Sequence, residues 1–305
     1  TSYSLWHFVP LWLCLYREFQ ASSQGKKKPG WGHIRSVQKM SKEKGTYALL
    51  LRLDRSELIR VGKLGEFTFP AGWYVYVGSA RGPGGLAARL ARHRRRMADG
   101  KRLRWHVDYL LERARLVEVW SRGGWPSAPA DRRLECEWAR VFADAPGGEI
   151  PVPRFGASDC RCPAHLIYFA TYPVDALSHA LAAAPDPDAR WRALAALRIV
   201  GRPRAIPALS AALLDPDEGI RAGAAVVLGE LRAAQAAPAL VKCLADPSPL
   251  VANRATEALE RIGEEAVPAL CAALEDERDA VRIHAAKALA AIQSPQSVTP
   301  LCQAY

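Results

Sequence analysis

The sequence predicts an α+β domain, a small antiparallel sheet with flanking helices, followed by an all-α solenoid of helix pairs. The first part rests on two strand-like runs between glycines, Gly45–Leu53 and Gly72–Gly78, the second of them full of the aromatic and β-branched residues that suit a pleated surface. The second part rests on a repeat of about thirty residues from Asp186 onward, a period that marks stacked helix pairs. Charge divides near the same place: residues 1–44, 45–170 and 171–305 carry +6, +8 and −3 within a total of +11. At 305 residues, 50% hydrophobic and 24% charged, the chain suits two globular domains and excludes overall disorder.

Residues 1–39 read poorly. Ser4–Tyr16 is apolar but too short and interrupted for a membrane span, and it lacks the basic front and small-residue cleavage site of a signal peptide. Met40 is the expected natural start, which makes 40–170 the first domain, 171–185 a linker and 186–305 the repeats. After the Gly45-Thr46-Tyr47 strand, Phe67-Thr68-Phe69 makes a short strand before the turn Pro70-Ala71-Gly72. The next strand ends in Tyr76-Val77-Gly78, and Ser79–Gly85 is too glycine-rich to be regular. A helix is expected from Leu86 to Met97, with Leu86, Leu90 and Met97 facing inward and Arg89 and His93, four apart, along its edge. Arg92, Arg94, Arg95 and Arg96, then Lys101, Arg102 and Arg104, form a basic run suited to a phosphate backbone.

Trp105–Leu111 opens a helix toward Arg115, Leu116–Trp120 reads as a strand, and Pro126–Pro129 breaks the chain. Asp131 can cap the following helix, whose buried stripe is Leu134, Trp138, Val141, Phe142 and Ala145. Glu135 and Glu137 flank that stripe on opposite sides, so periodicity does not choose between them. The domain closes on Ser158-Asp159-Cys160-Arg161-Cys162-Pro163-Ala164-His165-Leu166. Cys160, Cys162 and His165 supply three of the four ligands of a structural zinc; Cys136 or His106 could supply the fourth, and a hydrogen-bonded turn with inert thiols is the default expectation.

Taken in this order, Gly-Thr-Tyr, Tyr-Val-Gly, the helical Arg89, the glutamate helix and the Cys-x-Cys-x-x-His-Leu ending resemble the GIY-YIG nuclease superfamily. The likeness is to its compact branch with a long hairpin, a domain of unknown function also found fused to DNA-repair enzymes, and it extends from Gly45 to Phe169. It implies catalytic roles for Tyr47, Tyr76, Arg89 and His93, and a metal-binding glutamate on the later helix. Glu135 ranks ahead of Glu137 because the family's Glu-Cys pairing falls at Glu135-Cys136. Ser79 stands where several relatives have Lys, and the segment between the two strand motifs is longer than in most. The implied chemistry is hydrolysis of a phosphodiester aided by Mg²⁺ or another divalent metal, with Arg89 clamping a phosphate oxygen and Tyr47, Tyr76 and His93 as proton movers.

In the second half Asp186, Asp215, Asp246 and Asp276 each begin a block, at spacings of 29, 31 and 30 residues. An apolar residue follows five positions on (Trp191, Ile220, Val251, Val281), then an alanine-rich helix with Ala195, Ala224, Ala255 and Ala285 in register. Arg192, Arg221 and Arg282 share the position after the apolar residue, where Ala252 departs. Proline-led segments at Ile206-Pro207, Ala237-Pro238, Val267-Pro268 and Thr299-Pro300 introduce the second helices. These blocks resemble short HEAT-like repeats in the form noted in phycobilin-lyase relatives, which implies a binding scaffold and no lyase activity.

The expected function is a divalent-metal-dependent nuclease-like protein with a helical scaffold for a protein partner. The alternative is a non-catalytic nucleic-acid-binding adaptor or protein-interaction scaffold. A basic front and a slightly acidic back predict nucleic acid, DNA first, as partner of the front domain and no membrane. Seven scattered cysteines are the usage of a reducing compartment, here the cytoplasm, without a structural disulfide.

Overall fold

In the computed structural model, which describes residues 43–123, 131–201 and 203–297, β1 (Gly45–Leu53) is the spine of the front half. It pairs antiparallel with β4 (Gly72–Ala80) along its whole length, from Gly45 opposite Ala80 to Leu53 opposite Gly72. β5 (Arg115–Gly123) and β6 (Leu166–Phe169) complete the sheet in the order β5-β1-β4-β6. Between β1 and β4, β2 (Glu57–Val61) and β3 (Gly65–Phe69) form a separate hairpin; only β3 was expected from the sequence.

Strand alternation sorts the sheet's residues onto two faces. Tyr47, Leu49, Leu51, Tyr74 and Tyr76 enter a core shared with α1 (Gly85–Arg94), α2 (His106–Leu111) and the hairpin. Ala48, Leu50, Val75 and Val77 enter a second core with Trp138 and Phe142 of α3 (Asp131–Asp144). The sheet is therefore covered on both sides. Two helix bounds differ from expectation. The first helix stops at Arg94, so Met97 leaves the predicted inward stripe and lies 56% exposed; α2 ends at Leu111, and Arg115 begins β5.

The back half is a stack of helix pairs: α4 (Pro173–Ala183) with α5 (Pro187–Val200), α6 (Ile206–Ala211) with α7 (Glu218–Glu230), α8 (Ala237–Lys242) with α9 (Pro249–Ile262), and α10 (Val267–Ala273) with α11 (Asp279–Ile292). This corrects the expected linker at 171–185. Pro173 sits in the first turn of α4 as Pro207, Pro238 and Pro268 do in the later partners, and Val174, Leu177 and Leu181 are buried in the repeat core. That core is continuous with the α3 side of the sheet, so the repeats dock on the front half. A fragment beginning at 186 would bare the face that α4 covers.

The first repeat is also in a different register from the one expected. Arg221 Nη1 donates to the carbonyls of Asp215 and Pro216, and Arg282 Nη1 to those of Asp276 and Glu277. In the first repeat it is Arg190, not Arg192, that does this, on Ala184 and Pro185. Ala184-Pro185 therefore matches Asp215-Pro216, and Asp186 matches Asp217, both being helix N-caps. The fully buried alanines are Ala193, Ala224, Ala255 and Ala285, with Ala195 only half-buried. Arg190 and Arg221 each also fork onto the next repeat's aspartate, Asp215 at 2.7 and 3.0 Å and Asp246 at 2.8 and 2.9 Å, tying successive repeats together. At Ala252 no arginine continues the ladder, and Asp276 pairs with Arg278 instead.

Residues 1–39 and Met40, the Pro126–Pro129 break, the side chain of Asp131 and Thr299-Pro300-Leu301 lie outside what is described. Among the described residues no helix is long and apolar enough to cross a membrane.

Candidate active site

Cross-strand pairing builds the centre of the site. Tyr47 on β1 stands opposite Gly78 on β4, and a Cβ at residue 78 would come within 2.5 Å of the Tyr47 hydroxyl. Glycine thus gives the phenol its room. On the same face α1 brings His93, whose Nε2 shares a hydrogen bond of 2.7 Å with the Tyr47 hydroxyl. Tyr76 lies edge-on to the His93 ring at 6.4 Å and packs against Gly156, whose φ of 73° and missing Cβ suit that close approach.

Burial sets the protonation of this group. Both phenols are pushed up, first by burial and then, for Tyr47, by Tyr76 and, for Tyr76, by the Glu135 charge; Arg89 opposes the shift in each. Burial pushes His93 down to about 3, against a smaller opposing pull from Asp108. At neutral pH the centre holds two neutral phenols and a neutral imidazole.

A stability prediction follows from His93. Its unfolded value near 6.5 exceeds the folded value, so the unfolded chain binds the extra proton and folding weakens as pH falls from 6.5 toward 3. The loss approaches about 1.4 kcal/mol per pH unit within that window. Urea unfolding at pH 7.5 and 5.5 should show wild type losing about 1 kcal/mol more than His93→Gln over that interval. An equal loss in both proteins would mean that His93 is not buried in its neutral form.

Charged groups ring the centre. The Arg89 guanidinium lies over the Trp105 ring at 4.3 Å, as does that of Arg92. Glu135, on α3, reaches the end of β4: its Oε2 lies 3.7 Å from Arg81 Nη2, and its Oε1 3.3 Å from His165 Nδ1. Burial raises this carboxyl, but hydrogen bonds from His165 and Ser79 and the Arg81 charge outweigh it and hold the group below the usual range. Ser79 is thus a partner of the glutamate.

The structure brings Tyr47, Tyr76, Arg89, His93 and Glu135 into one electrostatic neighbourhood, since the Arg89 and Glu135 charges both act on both phenols. Glu137 lies two residues further along α3. The basic run divides. Lys101, expected at a nucleic-acid surface, has its side chain fully buried and pairs with fully buried Asp108 at 2.8 Å. Arg92 joins the same carboxylate at 2.9 Å, and Arg96 donates to the Ala114 carbonyl. Arg94, Arg95 and Arg102 remain exposed. Arg104 is exposed as well, so spacing alone had grouped seven residues of two kinds. Sequence reasoning missed Arg81 and the stacking role of Trp105; an arginine at the end of a motif strand was the available signal for the first.

Sheet, site and repeats together define a two-part protein in which an α+β domain carrying a cluster of titratable residues is mounted on HEAT-like helix pairs. Residues 46–184 match a domain of unknown function, DUF123, and residues 174–260 and 239–305 match HEAT repeats. Among solved structures, human deoxyhypusine hydroxylase in complex with glycerol is similar at 32% identity, over 39% of this chain and 43% of that one, with a TM-score of 0.34. The complex of CpcE and CpcF of phycocyanin lyase from Nostoc sp. PCC7120 is similar at 26% identity, over 56% of this chain and 63% of that one, with a TM-score of 0.32. A designed armadillo repeat protein bound to a (KR)4 peptide is similar at 17% identity, over 58% and 84%, with a TM-score of 0.33. The chain thus spans less than half of the human enzyme's length. No curated protein matches.

Proposed function

We propose that the front domain is a GIY-YIG-type nuclease that hydrolyses phosphodiesters of nucleic acid, DNA first, with a divalent metal, and that the repeats hold a protein partner. The observation that carries this reading is the convergence of Arg89, Glu135 and the hydrogen-bonded Tyr47–His93 pair at one end of the sheet. Arg89, held by Trp105, binds a non-bridging phosphate oxygen. Tyr47 and neutral His93, joined by the 2.7 Å hydrogen bond, are the groups that orient the attacking water and handle its proton.

Glu135 fits a hydrated Mg²⁺. His165, Ser79 and Arg81 hold its carboxylate ionised at the end of β4, and Mg²⁺ commonly takes one or two carboxylates and keeps several waters. When bound, that ion supplies neutralisation of developing phosphate charge. The contacts of Glu135 with His165, Ser79 and Arg81 at the end of β4 favour it as the ligand. The stack of repeats, each burying its face on the next, is an architecture that presents an extended surface to partners.

The test is incubation of the full chain with duplex, branched and single-stranded DNA, with and without divalent metal. Metal-dependent cutting is the expected outcome; binding without cutting across several metals would favour the adaptor reading. Binding should also weaken with salt, and Arg94→Ala, Arg95→Ala and Arg102→Ala together should reduce the log–log salt slope by up to about 3. An unchanged slope would place the phosphate track elsewhere.

A further inference from the structure

We infer that Cys136, Cys160, Cys162 and His165 bind one structural zinc ion, and that Glu135 is the carboxylate that orients its histidine ligand. The first half stands on geometry alone. The second deepens the active-site reading of Glu135 and rests on it.

One ligand atom from each of the four residues lies within 4.8 Å of every other. Cys160 Sγ is 3.4 Å and Cys136 Sγ 3.9 Å from His165 Nε2. A tetrahedral zinc with ordinary Zn–S and Zn–N bonds requires sulfur–nitrogen edges of about 3.6 Å and sulfur–sulfur edges of about 3.8 Å, so the four atoms need little movement to close on an ion. Three thiolates and an imidazole are soft to borderline donors that select zinc over Mg²⁺. Four protein ligands leave no open position, which makes the site a staple and not a second reaction centre.

The two segments it joins are otherwise far apart in sequence. Cys136 belongs to α3, whereas Cys160–His165 is the loop entering β6. That loop is already held in shape: Arg154 Nη1 donates to the Cys162 carbonyl at 2.8 Å, His165 N–H to Phe155 at 2.8 Å, and Val77 N–H to the His165 carbonyl at 2.9 Å. His106, the other candidate for a fourth ligand, is engaged elsewhere, its Nδ1 accepting from the Gly156 N–H at 3.0 Å.

The His165 ring divides its two nitrogens between the two sites. Nε2 faces the thiols and Nδ1 faces Glu135 Oε1 at 3.3 Å, the arrangement by which a carboxylate fixes the tautomer and orientation of a zinc-bound histidine. Since Glu135 and Cys136 are neighbours on α3, zinc would hold the helix that carries the glutamate against the end of β4.

The experiment reads metal, not cleavage, so its failure is separate from failure of the nuclease reading. Full-length chain after gel filtration should carry one zinc per molecule by elemental analysis, and its cobalt-substituted form should show the visible bands of tetrahedral cobalt and a thiolate charge-transfer band. Iodoacetamide should label Cys136, Cys160 and Cys162 slowly until a chelator removes the metal, with Cys243 and Cys271 unaffected by the chelator; this needs no variant and survives a Cys136→Ser protein that does not fold. Glu135→Gln should retain the stoichiometry but lose zinc to a competing chelator about 10–100-fold more readily. Zinc that washes off, octahedral cobalt spectra, chelator-independent labelling or a disulfide among the three cysteines would overturn the site. An unchanged zinc affinity in Glu135→Gln would overturn the role given to Glu135.

Discussion

Arg89→Ala and Glu135→Gln should each slow phosphodiester cleavage by about a hundredfold or more while leaving DNA affinity nearly unchanged, because both act chiefly on charge that develops in the transition state. Arg89 is stacked on Trp105 and needs little reorganisation to meet a phosphate. Glu135 presents Oε2 away from His165. Glu137→Gln on the same helix is the comparison: with Glu135 as the ligand, it should keep near wild-type rates. Zinc content is measured for Glu135→Gln alongside the rate, so that loss of the carboxylate is separated from loss of the neighbouring ion. Tyr47→Phe keeps the ring against Gly78 and deletes only the oxygen that meets His93, so it should slow cleavage without unfolding the sheet. Steady-state rates with the metal saturating decide the matter. Full activity in Arg89→Ala would remove the phosphate clamp from the mechanism.

The largest stability loss should come from Asp108→Ala, at about 3–5 kcal/mol. The Asp108 carboxylate is fully buried, pairs with buried Lys101 at 2.8 Å and with Arg92 at 2.9 Å, and accepts from the backbone N–H groups of Arg104 and Trp105. Burial pushes its pKa up, yet Lys101 and those N–H groups outweigh it and hold the carboxyl below its usual range. Removing the carboxylate strands a buried ammonium. Lys101→Met should cost less, because Arg92 and both N–H groups still serve Asp108. Exposed Arg94→Ala should fall within about 0.5 kcal/mol of wild type. Urea midpoints with unchanged slopes would report these differences directly. An Asp108→Ala protein as stable as wild type would mean that Lys101 finds water instead.

Local signals were enough for the two motif strands and the existence of repeats, but not for β2 or β6. Gly45–Leu53 and the Tyr-Val-Gly strand are long, bounded by glycines and patterned for a sheet, and both strands form where expected. The helix carrying Arg89 and His93 was legible too, but not its end: Arg94 to Arg96 gave no stop signal, and Met97 looked like one more inward residue. The repeats were recognisable from their Asp-Pro and Pro-Ala-Leu punctuation. The first one was misregistered because Asp186-Pro187 repeats that dipeptide two residues after Ala184-Pro185, the true counterpart of Asp215-Pro216.

What the sequence determined by itself was the succession of an α+β part and a helical repeat part, the split of charge between them and the residue types available for chemistry, because these depend on composition and short-range periodicity. Tertiary structure alone decided that Glu135 meets His165 and Arg81, which arginines and lysines of the basic run are surface charges and which are core partners, and that Cys136 lies beside Cys160, Cys162 and His165. The reason is physical. Glu135 meets a histidine from the loop before β6, thirty residues on, and Lys101 is buried against Asp108 while its neighbour Arg102 is exposed. Contacts between residues tens of positions apart are fixed by packing of the sheet against its helices, and no local pattern encodes them.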